Sequence, residues 1–421
     1  MLAPLNIPMN PRAIGLRLDL ILEPRMVLLL EGAMMNNRWG ILTVLFIVRA
    51  SMAVQFSSLG AVAPLLSSEL GFSIADVGIL IGLYHAPGIA LSLPGGAIGQ
   101  RFGDKTTVLG ALALMLAGGV LMALAPSWLL QITGRLAAGA GAAMMSVVLT
   151  KMLTDWFAGK ETATAMAIFI NSWPVGIALS LLLLPLLGTR LGVSAVHLGV
   201  AAFIGSCMLL LGFCYRPPPD TAQFQPASQH LGRGVVVALV TAGLIWGFFN
   251  IGFAMIFSFG PSMLVEHGWS IAAAGSAISI VLWISAVTVP LGGFLADRFR
   301  RPQQIIVISC VAFGALLLAL PRSGAVIATV MALGAISGLP AGPIMSLPAN
   351  VLQPGTRAIG MGLFFTVFYV CMMLGPAAAG AIGKWAGSAA SALDFGAAMI
   401  LACPLLLWLG NRIPAFTTKP A

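Results

Sequence analysis

Between residues 106 and 134, 162 and 189, 191 and 215, 234 and 265, 323 and 356, and 358 and 383, the chain carries no Asp, Glu, Lys or Arg. Two shorter stretches, 50–68 and 77–100, share the property. A helix that crosses a bilayer needs ~20 mainly apolar residues, and several of these runs exceed that length. With 59% apolar residues, 8% charged residues and a mean hydropathy of +1.02 over 421 residues, a water-soluble domain would expose large sticky patches. The runs restrict the chain to an all-α polytopic membrane protein embedded in a lipid bilayer. A barrel is excluded, because its signature is alternating strands of roughly ten residues rather than long apolar runs.

Ala125-Pro126-Ser127 divides the run from 106 to 134 into the end of one helix and the start of the next. Twelve spans result, near 39–66, 75–99, 106–125, 128–153, 161–187, 193–215, 234–264, 271–296, 303–320, 325–350, 358–384 and 393–411. Lys and Arg fall unevenly between them. Connections on the N-terminal side carry Arg101, Lys105, Lys151, Lys160, Arg216, Arg233, Arg298, Arg300, Arg301 and Arg357, and the tail adds Arg412 and Lys419. The other side has Arg190, Arg322 and Lys384. This bias places both termini in the cytoplasm of a cell whose inner, or plasma, membrane holds the protein. The net charge of +9 is therefore an orientation signal and implies no nucleic-acid partner.

Residues 1–37 read as a cytoplasmic extension or an early start site, since Pro4, Pro8, Pro11 and Pro24 interrupt the stretch and Met34 or Met35 directly precedes the first span. No cleaved signal peptide is expected. The five cysteines, Cys207, Cys214, Cys310, Cys371 and Cys403, all fall within spans and give no disulfide framework. The histidines at 85, 197, 230 and 267 are scattered without metal spacing, and neither metal nor cofactor nor enzymatic activity is expected.

The polar, Pro-rich segment 216–233 separates six spans (38–215) from six more (234–412), with a tail at 413–421. The two sets echo each other. GGAIGQRFGDK from Gly95 and GGFLADRFRRP from Gly292 are 197 residues apart, and Gly159 aligns with Gly355 at a shift of 196. Parallel repeats of this kind suit two pseudo-symmetric bundles that rock about a site near the midplane.

At these residues the chain resembles the major facilitator superfamily. The family's loop signature, Gly-x-x-x-Asp-Arg-x-Gly-Arg-Lys, is matched by Gly293, Asp297 and Arg298. Its first copy keeps Gly96, Arg101, Gly103 and Lys105, but has Gln100 in place of the Asp and Asp104 in place of a base. The fourth-helix pattern Arg-x-x-x-Gly-x-Gly is complete at Arg135, Gly139 and Gly141. Through Arg49 in the first helix and the exit Pro64-Leu65-Leu66, the chain is also similar to bacterial cyanate- and nitroimidazole-type transporters and other small-anion carriers. The resemblance implies a monomeric secondary transporter that works by rocker-switch alternating access, with its loop motifs at the gate.

Arg49 is the residue this frame leaves unexplained. A guanidinium at bilayer depth costs roughly 2.5–3.5 kcal/mol on insertion scales and ordinarily faces a wet cavity or a partner. Helical rise puts Arg49, His85 and Arg135 all about 10–15 Å into their spans. No carboxylate lies within a hydrocarbon-length segment. Two arginines without an acid make an anion site, and the guanidinium fork suits carboxylates and other oxyanions. The expected cargo is a small anion, an organic acid or oxyanion, bound by Arg49, His85 and Arg135 with Tyr84, Asn171 and Asn250 as further polar groups. Trp173, Trp283 and Tyr369 are additional span residues able to line a cavity.

Each has a plainer reading. Arg135 belongs to a fold-wide motif that ties helices together, His85 can be a packing residue, and the other polar groups can be helix glue. Gly338 to Pro343 and Gly375-Pro376 read as bending points. With no acid to titrate, either the anion enters with a proton on itself or on His85, or the protein exchanges or uniports. A multidrug exporter would want an acidic cavity residue, and a membrane sensor or enzyme a soluble domain or clustered catalytic groups; none is present.

Overall fold

The computed structural model describes residues 37–92, 101–124, 127–157, 161–218, 231–348, 351–352 and 356–417. The N-terminal extension 1–36 and most of the segment joining the two sets of six spans lie outside these residues. Among the described residues there is helix and no strand. Eleven helical segments are long and apolar enough to cross a membrane. One of them, Thr164–Cys214, has 51 residues, about twice what one crossing can use. Gly192, at φ 81° and ψ 173°, turns the chain within it, so the segment makes two crossings and the total is twelve.

Spans 1–12 run as follows. Span 1 is Arg38–Ala61 continued by Ala63–Leu70, and span 2 is Ile74–Leu83 continued by Ala86–Leu91. Asp104–Leu124 and Trp128–Trp156 are spans 3 and 4. Span 5 is Thr162–Ile170 followed by Ser172–Cys214 as far as Gly192, after which span 6 begins. Arg233–Glu266, Ile271–Phe299 and Pro302–Ala319 are spans 7, 8 and 9. Span 10 is Val326–Ser337 continued by Ala341–Met345, and Arg357–Ala386 and Ala390–Gly410 complete the set.

Prolines explain why three of these spans are broken. Pro64, Pro87 and Pro174 each lack the amide that would bond the carbonyl four residues back, and their rings crowd it. The breaks fall just upstream of each proline, at Val62, at Tyr84-His85 and at Asn171. Span 10 breaks between Ser337 and Ala341, in the Gly338–Pro343 stretch, whereas span 11 runs unbroken through Pro376.

The packing repeats along the chain. Spans 3 and 4 pack together, as do 1 and 5, and in the second set 7 packs on 11 and 12, 8 on 10, and 9 on 12. Glu69 at the end of span 1 accepts the amide of Val193 at 3.0 Å, capping span 6. Glu266 at the end of span 7 accepts that of Ala389 at 2.9 Å, capping span 12. Cys207 and Cys403 likewise donate to the carbonyls of Ile47 and Ile245. Each pair is offset by 196 to 198 residues, matching the spacing of the loop echoes.

Three seams join the two sets, between spans 1 and 7, 2 and 11, and 5 and 8. All are glycine on backbone. A Cβ at Gly60 would meet Ser258 Cα at 2.7 Å, one at Gly78 the Pro376 carbonyl, and one at Gly275 the Leu181 carbonyl. Gly78 and Gly275 occupy corresponding places in the repeat. These contacts lie away from the end that carries Arg101, Arg298 and Arg301. Gly78→Val is therefore expected to disfavour the sealed arrangement by about 1–3 kcal/mol, the cost of overpacking a tight contact. A single cysteine at Ser262, beside this seam, should then react with maleimide roughly tenfold faster than in the Gly78 protein; equal rates would show that the seam does not hold this end shut.

Candidate functional site

Arg49 sits eleven residues into span 1, about 16 Å from its start at ~1.5 Å per residue. Its Nη1 donates to the Phe169 carbonyl at 3.0 Å, and its guanidinium lies 4.7 Å from the Phe169 ring centroid. That carbonyl also accepts from Ser172 Oγ at 2.6 Å, directly across the break at Asn171. The Pro174 break thus supplies the acceptor that orients Arg49. Neither Nε nor Nη2 meets a protein acceptor among the described residues, and none of the ion pairs found there includes Arg49. The described acids, Glu69, Asp76, Asp104, Asp155, Glu161, Glu266, Asp297 and Asp394, all lie at span ends or beyond them.

Tyr369 of span 11 reaches this region from the other set. His85 stands next to it, ring centroids 6.0 Å apart. His85 is 5% exposed, and its Nδ1 has no hydrogen-bond partner. Asn171, in the span 5 break, has its Oδ1 buried and unpartnered. Arg49, His85 and Asn171 are the groups expected from the sequence that retain open polar capacity among the described residues.

Arg135 behaves differently. It is fully buried, with Nε on the Leu80 carbonyl at 3.0 Å, Nη1 on Gln55 at 2.8 Å and Nη2 on Phe56 at 2.9 Å. Its guanidinium also lies 5.0 Å from the Tyr84 ring centroid. This is a clasp on spans 1 and 2, so the expected pair of anion-binding arginines reduces to one. The rest of its motif serves the same packing: a Cβ at Gly139 would collide with the Tyr84 carbonyl, and one at Gly141 with that of Ala111. Tyr84 donates its hydroxyl to the Met52 carbonyl at 3.2 Å. Asn250 donates to its own helix at the Trp246 carbonyl, 2.8 Å away. Each thus spends a donor on an internal tie, and its oxygen stays able to accept from a cargo. Trp283 is 41% exposed on the outside of the bundle and takes no part in the site.

Sequence reasoning named Trp173 and Tyr369 but missed the other aromatic rings around them. Phe56 packs on Trp173 at 5.6 Å, on His85 at 4.7 Å and on Phe257 of span 7 at 5.8 Å. Phe368 continues the path from His85 to Trp246 at 6.3 Å. The signal was available as Trp246, Phe249, Phe253 and Phe257, spaced three or four residues apart along one face of span 7.

At the gate motif, Gly96 and Gln100 lie outside the described residues. Gly103, at φ 82°, starts span 3 in the left-handed region, and Arg300, its counterpart 197 residues on, is left-handed too at φ 52°. Lys105 donates to the Tyr215 carbonyl at 2.9 Å. Asp104, which stands where the family has a base, pairs with Lys151 at 2.5 Å, and Asp155 joins at 3.2 Å. The reversed charge is thus answered by a lysine on span 4. Arg101, Asp297 and Arg298 are exposed, and Gly293 lies under Gly342 of span 10, whose Cβ would come within 3.1 Å of it.

The Major Facilitator Superfamily model matches residues 45–265 and 247–420, which take in both six-span sets. The chain belongs to this superfamily. Among curated relatives of this superfamily member, the Hexuronate transporter of Bacillus subtilis is 22% identical over 325 residues, 72% of this chain and 76% of the relative. The Oxalate:formate antiporter of Oxalobacter formigenes is 23% identical over 287 residues, 65% of this chain and 67% of the relative. A bacterial homologue of the human lysosomal transporter Spinster, solved inward-facing and occupied, shares the fold with a TM-score of 0.70. It is 19% identical, with 89% of this chain and 97% of that one covered.

Proposed function

We propose that this superfamily member is a secondary carrier that moves a small anion across the cell membrane by alternating access. The observation that carries the reading is Arg49: a mid-span guanidinium with one backbone acceptor and no carboxylate partner among the described residues. A buried cation left without a counter-ion is costly, and an anionic cargo supplies the counter-ion. Two relatives named for anions, hexuronate and oxalate with formate, agree with this choice. Placing the basic end in the cytoplasm, the glycine seams close the outer side, and rocking the two sets about Arg49 and Tyr369 would open it. With no acid away from the ends of the described spans, coupled proton movement falls to His85 or to the cargo's own acid group; otherwise the carrier exchanges anions.

Counterflow into liposomes holding the purified protein tests this. Preloaded galacturonate, oxalate, formate, nitrate or benzoate should drive saturable uptake of the same labelled anion for at least one of the five. No anion flux, together with efflux of cationic dyes, would replace this reading with the exporter one.

A further inference from the structure

Resting on the anion-carrier reading, the inference concerns which anion. We propose that the cargo is a monovalent carboxylate borne on a flat apolar body, in the manner of an aromatic acid, with its carboxylate on Arg49 and its body among the rings that join the two sets of spans.

Charge sets the first limit. Arg135 is closed off by three carbonyls, and the remaining described arginines and lysines lie at span ends. One cation neutralises one negative charge. A dianion would carry a second charge into the bilayer interior with nothing to answer it, at a cost of several kcal/mol. Geometry sets the second. With Nη1 held by Phe169, the Nε and Nη2 edge remains, and its two parallel donors match the two oxygens of a single carboxylate.

The surroundings set the third. Beyond Arg49 the facing surfaces are aromatic: Trp173 stacked on Phe56 with planes 27° apart, Phe368 edge-on to His85, and Trp246 next along. Trp173, Phe368 and Trp246 are only partly buried, so ring surface remains for a guest. Cargo hydroxyls would find two scattered acceptors, Asn171 Oδ1 and His85 Nδ1, both unpartnered among the described residues. Asn250 spends one amide N–H on the Trp246 carbonyl, Ser146 donates to the Ala142 carbonyl at 2.7 Å, and Thr366 donates to the Gly362 carbonyl with the Ser92 hydroxyl beside it. A buried hydroxyl without a partner loses binding energy, whereas a flat ring stacks on such walls in offset or edge-on contact. Few polar groups and many rings select a planar acid over a sugar acid or an inorganic oxyanion.

Thermal shift of the purified full chain in detergent separates the cases. Benzoate at saturation should raise the melting temperature by several degrees, while benzamide, oxalate, nitrate and galacturonate should not. Arg49→Gln should abolish the benzoate shift, and Phe368→Leu, which keeps apolar bulk and loses the ring, should weaken the benzoate affinity read from the shift's concentration dependence about tenfold. Trp173→Leu provides the same test should Phe368→Leu fail to fold. An Arg49-dependent shift with oxalate, nitrate or galacturonate but none with benzoate overturns the aromatic-acid proposal and leaves the anion carrier standing. A benzoate shift indifferent to both ring variants also overturns it. If no anion gives a shift that depends on Arg49, the carrier reading itself falls.

Discussion

Arg49→Ala is expected to reduce anion transport to background, a loss of two orders of magnitude or more, while the protein still reaches the membrane in normal amount. The side chain makes a single hydrogen bond, to Phe169, and that carbonyl keeps its bond from Ser172 when the guanidinium is gone. Folding therefore loses about 1–3 kcal/mol at most. Binding loses the one mid-span cation among the described residues that is not closed off by carbonyls. Arg49→Lys restores charge without the planar fork and should recover some of the flux with a weakened apparent affinity. Uptake normalised to membrane content reads the outcome, and full transport by Arg49→Ala would remove the site.

Arg135→Ala should do the reverse. The carbonyls of Gln55, Phe56 and Leu80 would lose a charged donor in a region without water; Gln55 keeps its bond from Ser58 Oγ at 2.8 Å, and each of the other two losses costs about 1–3 kcal/mol. The breaks at Val62 and at Tyr84-His85 deprive spans 1 and 2 of helical continuity near this point, so the clasp is what holds them in register. The expected result is a sharp fall in membrane yield and in melting temperature, independent of any cargo. Arg135→Lys should remain well below the native melting temperature, because one ammonium cannot match three divergent carbonyls as a planar guanidinium does. A variant that melts like the native chain but no longer binds anions would transfer Arg135 from the scaffold to the site.

The contrast between the two arginines shows what could be read from the sequence. Depth was legible, since apolar runs fix where a residue sits along its helix, and it put both near mid-bilayer. Partnership was not. Arg135 is consumed by one carbonyl in the last turn before span 2 breaks, that of Leu80, and by two on span 1, and backbone acceptors leave no mark in residue identity. Pro64, Pro87 and Pro174 were the available clue, each shortly after a break, and two of those breaks carry His85 and Asn171. The twelve crossings and the 197-residue repeat were legible because they rest on long runs and on duplicated loops. The turn at Gly192 was less so: helix resumes at once on either side, and the positive φ belongs to the fold. Asp104 was visible as a departure from the family pattern, but its answer, Lys151, lies 47 residues away on span 4.

The most direct test of a cargo anion on Arg49 is equilibrium binding of labelled benzoate to the purified chain in detergent, measured for the native protein, Arg49→Gln and Arg49→Lys at matched thermal stability. Saturable binding by the native protein, absent in Arg49→Gln and weakened in Arg49→Lys, is the predicted result. Equal affinity in the native protein and Arg49→Gln would contradict the account.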